Sequence, residues 1–223
     1  MNGIIKNIVD IFLHLDKNLA LVIAQYGPFT YGLLFLIIFM ETGFVVTPFL
    51  PGDSLIFAAG ALSVTSSLSI WWLYLLLVLA AVLGDTVNYW IGHFVGPKIF
   101  EKDSKFIKRE YLIRTQKFYE KYGGQAIVLA RFVPIIRTFA PFVAGVAKMN
   151  YGHFITYNIT GGIVWVTLFL WSGYFFGNLP IVKTNFHYVI MVIIILSIAP
   201  IIVEIYRSKL SHKNLPSEVT RKN

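Results

Sequence analysis

Apolar residues fill most of positions 28–97, 126–182 and 188–206, and charged residues collect between and after these stretches. The hydrocarbon core of a bilayer is ~30 Å thick and takes about 20 apolar residues as a helix. Three stretches reach that length: "SIWWLYLLLVLAAVLGDTVNYWIGHFVG" (69–96), "HFITYNITGGIVWVTLFLWSGYFFG" (153–177) and "YVIMVIIILSIAPIIVEIY" (188–206). Two more are interrupted. Residues 29–62 carry Glu41, Pro48, Pro51, Gly52 and Asp53, and residues 125–147 carry Arg131, Pro134, Arg137 and Pro141. Backbone groups in lipid must be satisfied internally, so the pattern predicts an all-α polytopic membrane protein. Residues 4–25 mix Asp10, His14, Asp16 and Lys17 with apolar positions, which fits an amphipathic or membrane helix better than the core of a cleaved signal.

Composition strengthens this picture. The chain is 57% hydrophobic and 13% charged, where a soluble domain carries about 25% charged residues. Cysteine is absent, which excludes disulfides and thiolate metal sites, and the five histidines are scattered. No metal or other cofactor is expected. The formal charge of +8 does not point to nucleic acid, because the bases cluster in two loops beside membrane spans.

Those loops set the topology. Residues 98–122 hold eight Lys or Arg and four acids, and the tail 207–223 holds five more bases. Both are expected on the cytoplasmic side. An even number of crossings must then join them, and 153–177 and 188–206 supply two. Residues 125–147 are therefore expected to dip into the membrane and return, as a re-entrant hairpin with its helix broken at Pro134 and Pro141. The first half has the same plan, a hairpin over 29–62 followed by the span 69–96. "FAAGAL" (57–62) resembles "FVAGVA" (142–147), and "YWIGHFVG" (89–96) resembles "LWSGYFFG" (170–177). The expected fold is a single membrane domain: an inverted repeat of re-entrant hairpin plus transmembrane helix, followed by a C-terminal transmembrane helix. Broken helices in inverted repeats are a transporter signature; small residues recurring at packing positions are the plainer explanation.

Charge inside the apolar stretches is partitioned. From Asn18 to Pro97 the only charges are Glu41, Asp53 and Asp85; from Tyr122 to Val203 they are Arg131, Arg137, Lys148 and Lys183. An ionised group at the bilayer centre costs at least ~2.5–3.5 kcal/mol unless it pairs or meets water. Glu41 and Asp53 are expected to approach Arg131 and Arg137 where the hairpins meet. Such pairs could simply lock the two halves together. Arginine's planar fork, however, suits phosphate or carboxylate, and a carboxylate at that depth can carry a proton. Arg131 and Arg137 are thus candidate phosphate ligands, and Glu41 and Asp53 candidate proton-coupling partners. Asp53 also fits a helix N-cap. Asp85, beside Gly84 and Asn88, is a secondary candidate and reads first as a polar contact between helices.

The stretches "FMETGFVVTPFLPGDSLIFAAGAL", "GDTVNYWIG" and "KYGGQAIVLARFVPIIRTFAPFVAGVAKM" closely resemble the DedA family, also called the VTT or SNARE-associated domain family, and in particular its founding branch. The resemblance covers nearly the whole chain. It implies a multi-pass protein of the bacterial inner membrane that transports lipid, as a flippase or scramblase of undecaprenyl phosphate or phosphatidylethanolamine, with dependence on the proton-motive force. The family's key acids fall on Glu41 and Asp53, and its key arginines on Arg131 and Arg137. The expected partners are a membrane lipid and protons. Oligomeric state is left open, a homo-oligomer included.

Two other classes compete. A proton-coupled carrier of a small ion or osmolyte would use the same charges in a path closed to lipid. A phosphatase acting on polyprenyl pyrophosphate would need a nucleophile or base. Only Thr42, Ser54 and Thr138 offer hydroxyls near the charges, and no histidine lies in either interrupted stretch. The chain is therefore not expected to be an enzyme.

Overall fold

The computed structural model describes residues 15–44, 52–100, 115–117, 119–120 and 122–193, with the side chains of 15, 16, 96–100, 134 and 135 left aside. The expected turn with Pro48 and Pro51, most of the basic loop, residues 194–206 of the last span, the basic tail and residues 4–14 lie outside them. Among the described residues the structure is helical, with no strand. Helix α1 is Leu15–Tyr26, α2 is Phe29–Gly43, α3 is Gly52–Ser63 and α4 is Ile70–Phe100. A 3₁₀ turn, Gly123–Gln125, leads into α5, Ala126–Ala130, and α6 is Pro134–Val146. Helix α7, Tyr151–Val166, continues through a π turn, Thr167–Trp171, into α8, Ser172–Phe176. Helix α9 is Pro180–Thr184, and residues 186–193 are helical again.

Two of these helices are long and apolar enough to cross a membrane, Ile70–Val95 and Tyr151–Phe176, each of 26 residues. At 1.5 Å per residue that is about 39 Å. Helices α2, α3 and α6 have 15, 12 and 13 residues, about 18–23 Å each, which is less than a bilayer core.

Local sequence explains the breaks. Gly27 takes φ +51°, which stops α1, and Pro28 starts α2. Val133 is extended (φ −123°, ψ 101°), as a residue before proline prefers, and Pro134 opens α6 at its first position. The expected second break does not occur: Pro141 lies inside α6. A proline removes one helical hydrogen bond and crowds the carbonyls of the preceding turn. Helix α6 nonetheless continues, and in the same turn the Asn88 side-chain amide from α4 donates to the Thr138 carbonyl at 2.8 Å. At the end of α6, Lys148 adopts φ 52°, and the Asn150 side chain then caps α7 by accepting from the amides of Gly152 and His153.

Helix α4 lies along α2 and α6, while the α7–α8 helix lies along α3 and α5. Each long helix thus packs on one short helix from each half of the chain. Glycines allow the closest approaches. Gly60 faces the Leu170 carbonyl and Gly145 the Tyr89 carbonyl; Gly173 faces the Phe57 carbonyl and Gly92 the Phe142 carbonyl. A Cβ at any of the four would overlap the facing oxygen. The first pair of contacts joins matching positions of the two similar segments, and so does the second. The aromatic ends match too: Trp90 stacks on Phe94 at 5.5 Å and Trp171 on Phe175 at 5.7 Å. The buried core includes Ile38, Ile56, Phe142, Phe154 and Trp165, while Phe29, Leu36, Trp71 and Ile181 face outward.

Gly145→Val is expected to cost about 1–3 kcal/mol, since overpacking here meets backbone rather than a side chain that can move. Gly32→Ala, on an open face of α2, is expected to be neutral or mildly stabilising. Thermal unfolding in detergent compares the two.

Candidate functional site

The buried charges gather where the short helices meet the long ones. Glu41 is in the last turn of α2, and Gly52 at the start of α3 lies against its carboxylate so closely that any Cβ there would overlap it. Asp53 lies in the first turn of α3, inside the helix rather than before it, where the helix dipole favours a negative charge. Arg137 is in the first turn of α6 and Arg131 in the turn after α5. Asp85 comes from α4. Glu41, Asp85, Arg131 and Arg137 are 3–8% exposed.

The carboxylates are not shared as the sequence led us to expect. Arg137 takes both acids of the first interrupted stretch: Nη1 donates to Asp53 Oδ1 at 3.0 Å, and Nη2 lies 3.4 Å from Glu41 Oε1. Arg131 meets neither. Its Nη2 donates to Asp85 Oδ2 and to Asn158 Oδ1, both at 2.6 Å. The secondary candidate Asp85 is therefore the ion-pair partner of Arg131, a contact between helices as first read but a charged one. The reason is position: α5 ends against α7, where Gly161 and Gly162 leave room for the Arg131 guanidinium and turn it toward α4. Among the described residues, Arg131 Nε and Nη1 have no hydrogen-bond partner.

Polar side chains of the long helices complete the site. Asn158 accepts from Arg131 and donates its amide to the Val82 carbonyl at 2.9 Å, which ties α7 to α4. Asn88 donates to the carbonyls of Thr42 at 3.2 Å and Thr138 at 2.8 Å, joining α2 to α6. Trp165 lies under Arg137, with Cζ 3.9 Å from the ring centroid, and its Nε1–H donates to Asp53 Oδ1 at 2.8 Å. The sequence reading did not single out Asn158 or Trp165. A buried-type amide within a spanning stretch was a usable signal for Asn158. Nothing distinguished Trp165 from the many aromatic residues of this chain.

Chemically this is a buried ion-pair cluster: the Arg137 guanidinium has carboxylates from another part of the chain as its counter-charges. Thr42 spends its hydroxyl proton on the Ile38 carbonyl, and among the described residues Ser54 Oγ has no hydrogen-bond partner. Among the described residues, no group of three or more His, Asp or Glu side chains is arranged to hold a metal ion.

The VTT domain matches residues 50–175. Protein DedA of Escherichia coli K12 is 52% identical over 205 residues, which cover 91% of this chain and 94% of that protein. An uncharacterized membrane protein of Mycobacterium tuberculosis H37Rv is 42% identical over 186 residues, 82% of each chain. Inner membrane protein YqjA of E. coli K12 is 32% identical over 152 residues, 68% of this chain and 69% of that one. No solved structure matches.

Proposed function

This chain is a membrane protein of the VTT-domain family, to which DedA belongs, and from that premise we propose that it carries a phosphate-bearing lipid, undecaprenyl phosphate foremost, between the leaflets of the bacterial inner membrane. The observation that carries the reading is Arg137: a guanidinium buried at the start of a short helix and balanced by Glu41 and Asp53 from the other half of the chain. Arginine's fork matches two oxygens of a phosphate as well as it matches carboxylates. In the empty carrier Glu41 and Asp53 occupy it. On protonation they let go, the phosphate takes their place, and the lipid tail stays in the bilayer. Protons are thereby coupled to transport, and no covalent step is required of the protein.

The architecture suits this role. Helices α2, α3 and α6 are too short to cross, which supports reading 29–62 and 125–147 as re-entrant hairpins. The paired glycine–carbonyl contacts support two inverted repeats, each long helix gripping a short helix of the opposite repeat. Rocking one repeat against the other would open the Arg137 site to either leaflet in turn. The basic residues of 98–122 and 207–223 support a cytoplasmic C-terminus in this reading.

The test is leaflet exchange in proteoliposomes of the purified full chain. Wild type is expected to move undecaprenyl phosphate well above protein-free vesicles, and faster under an imposed pH gradient. If only phosphatidylethanolamine moves, the carrier reading stands with a different lipid. If neither lipid moves, the reading fails and a small-ion carrier takes its place.

A further inference from the structure

Trp165 is fully buried at the centre of the site. Its ring lies 3.9 Å beneath the Arg137 guanidinium, and its N–H donates at 2.8 Å to the same Asp53 oxygen that Arg137 Nη1 reaches at 3.0 Å. Two donors from different helices, α7 and α6, thus converge on one oxygen. The indole N–H is donor only and stays so at every pH the protein meets. Asp53 and the two donors are not equivalent in what happens when the carboxylate leaves. Asp53 can be displaced from the site, whereas Arg137 and Trp165 would be left aimed at the vacated oxygen position. A buried donor without a partner is costly, so that position favours whichever oxyanion replaces the carboxylate.

We infer that Trp165 is a direct ligand of the transported phosphate: its indole N–H and the Arg137 guanidinium bind one phosphate oxygen together, and Asp53 holds that place in the empty carrier. The inference rests on the carrier reading above. A second phosphate oxygen goes to Arg137 Nη2, which makes no hydrogen bond among the described residues and only faces Glu41 at 3.4 Å. The ring contributes separately, since a cation held over an indole face is attracted to it and Arg137 keeps its orientation while its anion partners exchange. Two free oxygens are enough for this, so a phosphomonoester and a phosphodiester headgroup both fit.

Trp165→Phe separates the two roles, because it keeps a ring under Arg137 and removes the donor. Binding of dodecyl phosphate, a monoester, and of lysophosphatidylethanolamine, a diester, is measured by calorimetry on the full chain in a neutral detergent. The expected result is that Trp165→Phe binds the preferred probe about 10- to 100-fold more weakly than wild type, as for loss of a hydrogen bond to a charged group. Trp71→Phe, at the outward-facing start of α4, binds normally. The preferred probe names the headgroup class. The second readout needs no change at the site: in wild type labelled with ¹⁵N at the indoles, the Trp165 signal shifts on titration and those of Trp71, Trp72, Trp90 and Trp171 do not. Wild-type affinity in Trp165→Phe, or a Trp165 signal that stays still while wild type binds, overturns the inference and leaves the carrier reading in place. Failure of wild type to bind either probe overturns the carrier reading itself.

Discussion

Arg137→Ala is expected to reduce lipid transport by about 100-fold or more, to the protein-free background. Arg137 makes one charge-assisted hydrogen bond, to Asp53, of a kind worth ~1.5–3 kcal/mol, and a second ion pair faces Glu41 at 3.4 Å. If a phosphate replaces the carboxylates, its binding draws on the same contacts. The difficulty is that the substitution also leaves the buried Glu41 carboxylate without its counter-charge and Asp53 without its guanidinium partner, which by itself can unfold the protein. A triple variant resolves this. Arg137→Ala combined with Glu41→Gln and Asp53→Asn removes the stranded charges and is expected to recover thermal stability toward that of wild type, without recovering transport. Should transport return in the triple variant, Arg137 is only the counter-charge that holds the two halves together, and the phosphate site is elsewhere. Arg137→Lys keeps the charge and loses the fork; it is expected to fold and to transport at about a tenth of the wild-type rate or less.

Asp85→Ala is expected to carry the largest stability cost, about 3–5 kcal/mol, because it leaves the Arg131 guanidinium buried without its ion pair. Arg131 would keep the Asn158 contacts and the Trp165 ring 5.9 Å from its Cζ, and its Nε and Nη1 already lack hydrogen-bond partners among the described residues. Asp85→Asn, which retains an acceptor of the same shape, is expected to cost less than half as much. Replacing both partners, Asp85→Leu with Arg131→Met, is expected to be markedly less destabilising than the sum of the single changes. Apolar pairs of similar volume often match a buried ion pair, and residues in contact do not add. Unfolding midpoints in detergent for the four members of this cycle measure the coupling. A coupling near zero would mean that water already screens the pair.

Arg131 and Arg137 are six residues apart and look alike in the sequence, yet the fold uses them differently. Arg131 joins the two long helices through Asp85 and Asn158, while Arg137 faces the acids of the first interrupted stretch. Pro141 was equally ambiguous. A proline in an apolar segment predicts a break, and only the fold shows the helix continuing past it. Trp165 is a third case: among so many aromatic residues, nothing in its neighbours marks it as the one beneath a guanidinium.

The sequence by itself determined the all-helical membrane character, the helix start at Pro134 and the buried charges Glu41, Asp85, Arg131 and Arg137. The reason is the cost of charge and open backbone in lipid, which makes each ionisable residue, proline and glycine in an apolar stretch stand out. Which acid meets which arginine was decided only by the tertiary structure. Partner choice depends on how the helices are rotated and how closely they cross: glycines 60, 92, 145 and 173 let helices approach backbone to backbone, and glycines 161 and 162 leave room for the Arg131 side chain.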